Sequence, residues 1–256
     1  MLDASPVSEP RVRMACRARP AASLSAWGQR TFGQRLVLLG IKTLLRILCR
    51  VDAAQLDRVP AHGPLILLSN HVNFLDVPVV FTHLYPRVVT GFAKAETWDS
   101  PFLGPLFTLW RAIPLRRGEA DMGAIRQALA ALEAGCILGL APEGTRSGDG
   151  RLQRGHAGVV TLALRSGAPL LPCVFYGGER FWSNLRRLRR TDFHIIVGQP
   201  FYLDARGERV TRQVRQQMTD EIMYRLAALL PPEYRGVYAD LSAATTTYLR
   251  YLSADG

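Results

Sequence analysis

Two short runs of this chain hold side chains able to do acid–base chemistry together. In "NHVNFLD" (70–76), His71 and Asp76 stand five positions apart, directly after the apolar run "LILLS". An imidazole titrates near neutral pH. A carboxylate on one ring nitrogen would fix its tautomer and stabilise the imidazolium, leaving the other nitrogen to take a proton from a hydroxyl. The plainer alternative is an unrelated histidine next to an aspartate that favours a helix start. In "APEGTRS" (141–147), Glu143 and Arg146 flank Gly144, where backbone can approach a ligand closely, and Thr145 and Ser147 add hydroxyls. Its plainer alternative is a polar turn with a surface ion pair worth about 0–1 kcal/mol.

Both runs fall where short apolar segments end, the edge at which open α/β sheets place their ligands. "GPLILLSN" (63–70), "RVVTGFAK" (87–94), "RAIPL" (111–115), "CILGLAP" (136–142), "APLLPCVFYG" (168–177) and "FHIIVGQP" (193–200) read as strands. Asn73 reads as the cap of a new helix, with Asp76 in its first turn. Between the strands, residues 121–135 form a helix with Met122, Ile125, Leu129 and Leu132 on one face, capped by Asp121 and closed by Gly135. Residues 156–167 form a second, closing on Gly167. Thr211 opens a third, whose Val214, Met218, Ile222, Leu226 and Leu229 share a face and which Pro231 and Pro232 stop. The expected fold is α/β, a layered mixed sheet flanked by helices.

The chain has 256 residues, 48% of them hydrophobic, and a formal net charge of +11, so its partner is expected to be anionic: nucleic acid, an acidic membrane surface or a phosphorylated small molecule. Cys16, Cys49, Cys136 and Cys173 are scattered, without metal-ligand spacing, which argues against zinc or a disulfide framework and for a reducing compartment.

Four segments follow. Residues 1–24, rich in Ala, Pro, Ser and Arg, read as disordered, with a transit peptide or a true start at Met14 as alternatives. Residues 25–50 form an amphipathic helix, with Trp27, Phe32, Leu36, Leu39, Thr43 and Ile47 on one face and bases elsewhere; it suits a membrane interface, the alternative being a helix packed on the domain. Residues 51–232 form the main domain, and 233–256 a tail in which a terminal helix is an option. No stretch is long and apolar enough for a conventional spanning helix. "FWSNLRRLRR" (181–190) sets Phe181 and Trp182 before four arginines, which suits lipid head groups or a solvated basic loop.

Together these runs resemble the glycerolipid acyltransferase family, the 1-acylglycerol-3-phosphate (lysophosphatidate) acyltransferases and their relatives, over about residues 60–200. "NHVNFLD" matches the family's H-x4-D block. "AIPLRR" (112–117) resembles the second block, with Arg117 at its basic position, and "APEGTRS" matches the third, usually F-P-E-G-T-R-S. "LPCVFYG" (171–177) looks like the fourth, with Pro172 and Gly177 in register, and "FAKAE" (92–96) is similar at Lys94 and Glu96. Ala141 replaces the usual aromatic and leaves space. Arg116 stands where many relatives carry an acid.

The resemblance implies an O-acyltransferase in which His71, braced by Asp76, deprotonates an acceptor hydroxyl that attacks the thioester of acyl-CoA or acyl-carrier protein. Arg117, Glu143, Gly144, Thr145 and Arg146 would shape the acceptor site, the arginines holding a phosphate. Glu143 would orient Arg146 or accept from a glycerol hydroxyl. No metal or bound organic cofactor is implied. The default acceptor is the lysophospholipid 1-acylglycerol 3-phosphate, giving phosphatidate, with lyso-ornithine lipid or another lysolipid as an alternative. The expected place is the cytoplasmic face of a membrane. The competing classes are a noncatalytic lipid-binding relative and a basic nucleic-acid-binding protein; no nucleic-acid-binding signature is present.

Overall fold

The computed structural model describes residues 31–116 and 121–251. The 1–24 segment expected to be disordered, residues 25–30 of the expected amphipathic helix, and Arg117 lie outside the described residues.

The chain enters through α1 (Phe32–Leu48), whose start is held by reciprocal hydrogen bonds between Thr31 and Gln34. At Cys49 the backbone turns extended, so Cys49 and Arg50 belong to β1 (Cys49–Asp52) rather than to the helix expected through residue 50. There follow β2 (Leu65–Leu68), α2 (Asp76–His83), β3 (Val89–Lys94), α3 (Leu103–Leu109), β4 (Ile113–Leu115), α4 (Met122–Glu133) and β5 (Ile137–Leu140). Next come α5 (Gly158–Ser166), β6 (Leu170–Tyr176), α6 (Phe181–Arg186), β7 (Thr191–Val197), β8 (Phe201–Leu203), α7 (Arg212–Leu229) and β9 (Leu249–Tyr251).

The strands join in the order β1-β7-β6-β2-β5-β3-β4, with β8 on β6 and β9 on β8. β2 lies between β5 and β6, parallel to both, while β7 is antiparallel to β6. The mixed sheet flanked by helices is the expected class. β2 is buried at all four positions, as a central strand covered on both faces must be. One core, on the α4, α5 and α7 side, contains Ile66, Leu68, Leu138, Val174 and Ile222; the other, on the α1 and α2 side, contains Leu65, Leu67, Val79, Phe175 and Phe193.

Several elements depart from the expectation. α4 buries Ala124, Ala128, Ala131 and Leu132, while Met122 is exposed, so small side chains face the sheet and the larger Ile125 and Leu129 sit at the margin. Among the described residues no terminal helix follows Pro232. Instead, residues 232–243 form three single 3-10 turns, and Tyr234, Tyr238, Tyr248 and Leu249 enter the α7 core before β9 closes on β8. The 181–190 run, for which a solvated basic loop is the alternative to head-group contact, begins as helix α6. The face of α1 chosen by its periodicity is the outward one: Phe32, Leu36, Leu39 and Ile47 are exposed, while Leu38 and Leu45 pack on the α2 side. Among the described residues, no helix is long and apolar enough to cross a membrane.

The turn after β6 depends on Gly177. Its φ is +89°, and an added Cβ would run into the carbonyl oxygen of Asp192 on β7. Gly177→Ala should therefore cost about 1–3 kcal/mol by combining backbone strain with a main-chain clash. Chemical denaturation of the variant beside wild type checks this; an unchanged midpoint would contradict it.

Candidate active site

β2 and β5 are parallel neighbours, so the segments leaving them emerge at one edge of the sheet. These are the segments that carry His71 and Glu143. His71 Nδ1 lies 2.8 Å from Asp76 Oδ2. The same oxygen accepts the main-chain N–H of Val72 at 2.7 Å and of Asn73 at 3.0 Å. The bend that returns Asp76 to the ring is thus made by the carboxylate itself, which gathers the amides ahead of its own helix. Asn73 is not the helix cap expected of it. Its Oδ1 accepts from Leu75 N at 2.8 Å in a side-chain turn, Leu75 occupies the cap position and α2 starts at Asp76.

Asp76 is 3% exposed and Glu143 1%, so both carboxylates are interior groups. Glu143 Oε1 accepts the main-chain N–H of His71 at 3.1 Å, and Oε2 that of Gln153 at 2.9 Å. Burial pushes the Glu143 carboxyl up to about 7 despite those two amides and the nearby His71, which favour its charge; Asp76 adds to the rise. The expected partnership with Arg146 is not made: both oxygens of Glu143 turn inward to backbone amides, while Arg146 is exposed. The 141–147 turn grips the histidine further, since Ser147 N donates to His71 O at 2.8 Å and Gly148 N to Val72 O at 3.1 Å.

On the other side, Asn70 is locked to β6 by two 2.7 Å hydrogen bonds, donating to Phe175 O and accepting from Phe175 N. Asn73 Nδ2 donates to Gly178 O at 2.6 Å. The sequence gives no sign that either asparagine positions the site, because their partners are main-chain atoms 105 residues away.

His71 lines two hollows. One, of about 130 Å³, is apolar, with Val77, Phe81, Phe107, Trp110 and Phe175 in its wall. The other, of about 380 Å³, mixes apolar walls with Lys94, Asp121, Gly144 and His156. Ala141 lines both, so the space left by the missing aromatic lies at their junction. Gly144 thus reaches the mixed hollow, while Thr145 and Arg146 are exposed on the same turn. Among the described residues no group of His, Cys, Asp and Glu could hold a metal ion.

Residues 50–176 match the family model described as Acyltransferase, and this span contains both carboxylates and the histidine they hold. The chain belongs to the glycerolipid acyltransferase family. The 1-acyl-sn-glycerol-3-phosphate acyltransferase of Bacillus subtilis (strain 168) is 24% identical over 190 residues, 74% of this chain and 92% of the relative. The protein of the same name from Limnanthes alba is 38% identical over 120 residues, which are 46% of this chain and only 42% of that longer relative. The crystal structure of the 1-acyl-sn-glycerophosphate (LPA) acyltransferase PlsC from Thermotoga maritima shares the fold, with a TM-score of 0.54 at 20% identity over 77% of this chain and 79% of that one.

In this acyltransferase both oxygens of Glu143 are turned to main-chain N–H groups, so its carboxylate holds the His71 segment in place. Glu143→Gln would turn an amide NH2 toward one of the two main-chain N–H groups, a mismatch worth about 1–3 kcal/mol. The expected result is a kcat lowered about 10- to 100-fold with the acceptor KM nearly unchanged, read by steady-state kinetics. A raised KM at constant kcat would return Glu143 to the acceptor site. The raised pKa also has a sign. The folded carboxyl keeps its proton up to about pH 7 while the ordinary one loses it near 4.5, so this group's contribution to stability falls as pH rises through that window. Melting temperatures of wild type and Glu143→Gln, compared across it, should shift relative to one another in that direction.

Proposed function

We propose that this acyltransferase moves a fatty acyl group from a thioester, carried by coenzyme A or acyl-carrier protein, to the free hydroxyl of a lysophospholipid, with 1-acylglycerol 3-phosphate as acceptor and phosphatidate as product. The observation that carries this reading is the braced His71 at the junction of an apolar hollow and a more polar one. The names of the relatives supply the acceptor.

With Nδ1–H donating to Asp76, Nε2 is left as the base. It takes the proton of the acceptor hydroxyl as the oxygen attacks the thioester carbonyl, and Asp76 stabilises the resulting imidazolium. The tetrahedral intermediate collapses by breaking the carbon–sulfur bond, and the imidazolium returns the proton to the departing thiolate. No acyl-enzyme is required. The apolar hollow suits the few methylenes of the acyl chain nearest the thioester, and the mixed one the glycerol phosphate, whose charge Arg146 and Arg117 would meet.

A membrane supplies such an acceptor, and two features support contact with one. The exposed apolar face of α1 carries Phe32, Leu36, Leu39 and Ile47. Trp182 and Leu188 are exposed beside Arg186 and Arg187, and Arg190 ties this turn to α1 by donating to the carbonyls of Arg46 and Cys49. Bases rimming exposed apolar side chains fit the head-group region of an anionic leaflet. The proposed location is the cytoplasmic face, in keeping with the buried free thiols Cys49, Cys136 and Cys173.

His71→Ala should lower acceptor-dependent thiol release from palmitoyl-CoA or palmitoyl-carrier protein by about 10²–10⁴-fold with the fold retained by circular dichroism. Near-normal turnover by the folded variant would reject the mechanism. A panel of lysolipids identifies the acceptor. Binding to phosphatidylglycerol vesicles should weaken with salt and fall about fivefold for each of Arg186→Ser and Arg187→Ser, about 1 kcal/mol per charge; salt-insensitive binding would remove the electrostatic part of the membrane proposal.

A further inference from the structure

Consecutive residues at the end of β6 face opposite sides of the sheet. Phe175 lines the apolar hollow with His71, whereas Tyr176 lines a separate pocket of about 760 Å³. That volume lies within the roughly 300–1,000 Å³ of small-molecule sites. Four arginines line it, Arg50, Arg180, Arg189 and Arg190, against the carboxylates of Asp192 and Glu233, so its charge favours an anion. The cross-strand ion pair within it is loose: Arg50 meets Asp192 at 3.4 Å with both side chains more than half exposed, 66% and 58%. Such a pair is worth little and yields readily to a phosphate, which accepts charge-assisted bonds from a guanidinium.

The pocket also has a flat wall. Tyr176 and His194 are cross-strand partners of β6 and β7 whose rings stack with centroids 4.7 Å apart and planes 16° from parallel. Tyr234 packs against Tyr176 in a tilted arrangement, with centroids 5.6 Å apart and planes at 40°. Stacked rings beside several guanidinium groups match a planar base joined to phosphates; a lipid head group offers the phosphate but nothing to lie on the rings. The floor is Gly177, and the adjoining Gly178 carbonyl is bound by Asn73, two residues beyond His71.

We propose that this pocket takes the phosphorylated nucleoside of acyl-CoA, whose flexible pantetheine arm crosses the Gly177–Gly178 turn and delivers the thioester to His71. The proposal rests on the acyl-transfer reading and adds to it the class of donor, a thioester whose leaving group ends in a nucleotide.

The test has a binding arm and a kinetic arm, both on the full chain in detergent. In the first, calorimetry with adenosine 3′,5′-bisphosphate should show saturable binding that survives His71→Ala and weakens at least tenfold in Arg50→Ser/Arg189→Ser and in His194→Ala. Absent binding, equal binding by all variants, or equally effective displacement by glycerol 3-phosphate or inorganic phosphate would overturn the nucleotide assignment; the last would mark a simple phosphate or head-group site. In the second, the preference for palmitoyl-CoA over palmitoyl-pantetheine, taken as the ratio of their kcat/KM values, should fall at least tenfold in the same variants. An unchanged ratio would overturn the proposal. Should His194→Ala fail to fold, the arginine variant decides alone, since Arg50 and Arg189 are exposed. Absence of transfer from either donor by wild type would sink the acyl-transfer reading instead, and the binding arm would still decide the pocket.

Discussion

The main-chain N–H of His71 ends on one buried carboxylate and its ring on another. Glu143 takes the amide, Asp76 takes Nδ1, and the remaining oxygen contacts of both acids go to main-chain N–H groups of residues 72, 73 and 153. Charge or near-charge in the interior is expensive unless it is met by donors, and here the donors are backbone groups that would otherwise lack partners once their strands end. The exchange offsets only part of the carboxylates' desolvation: burial still raises the Glu143 pKa to about 7, and Asp76 Oδ1 is buried without a hydrogen-bond partner. The arrangement demands that β2 and β5 lie side by side and run the same way, because only then do residue 71 and residue 143 leave the sheet together. The parallel pairing at the centre and the position of His71 are one constraint.

Asn70 extends that constraint to the third strand. Its amide pairs with both main-chain polar groups of Phe175, so a side chain continues the β2–β6 ladder past the point where the strand itself has stopped. The His71 segment is thereby held from β5 on one side and β6 on the other. On the proposed reading of His71 as the base, a ring fixed in this way loses little orientational freedom when substrate arrives, the condition under which positioning contributes most to rate.

What the sequence disclosed about the site follows from which atoms make the contacts. The His71–Asp76 pair was legible because both partners are side chains with recognisable chemistry five positions apart. Glu143 was legible as important, but its role was not. Its partners are amide N–H groups, which every residue but proline owns and no residue type advertises. An opposite charge three positions away made Arg146 the natural partner by spacing, yet burial of one group and exposure of the other separate them. The same distinction runs through the fold. Strands with continuous apolar runs, such as Leu65–Leu68, were plain, whereas β1, β8 and β9 have only three or four residues and no alternation to betray them. For α1 the periodicity identified an oily stripe correctly but could not say which of two apolar faces meets the protein, since Leu38 and Leu45 lie on a stripe nearly as oily as the exposed one.

That ambiguity has a physical origin that also explains the layout around β6. A helix or strand with apolar groups on both faces has two surfaces to satisfy, and a sheet covered by helices on both sides offers room for two unlike environments at a single strand end. Phe175 and Tyr176 differ by one position and therefore by one face. The first completes an apolar wall against the histidine; the second contributes a ring to a cationic pocket. The proposed transfer of an oily chain to a polar alcohol calls for surroundings of opposite character within reach of His71. The two-residue period of a β-strand supplies that division without any change in the backbone, provided the strand is pinned in register, as the β2 and β7 ladders do here with Asn70 added at Phe175.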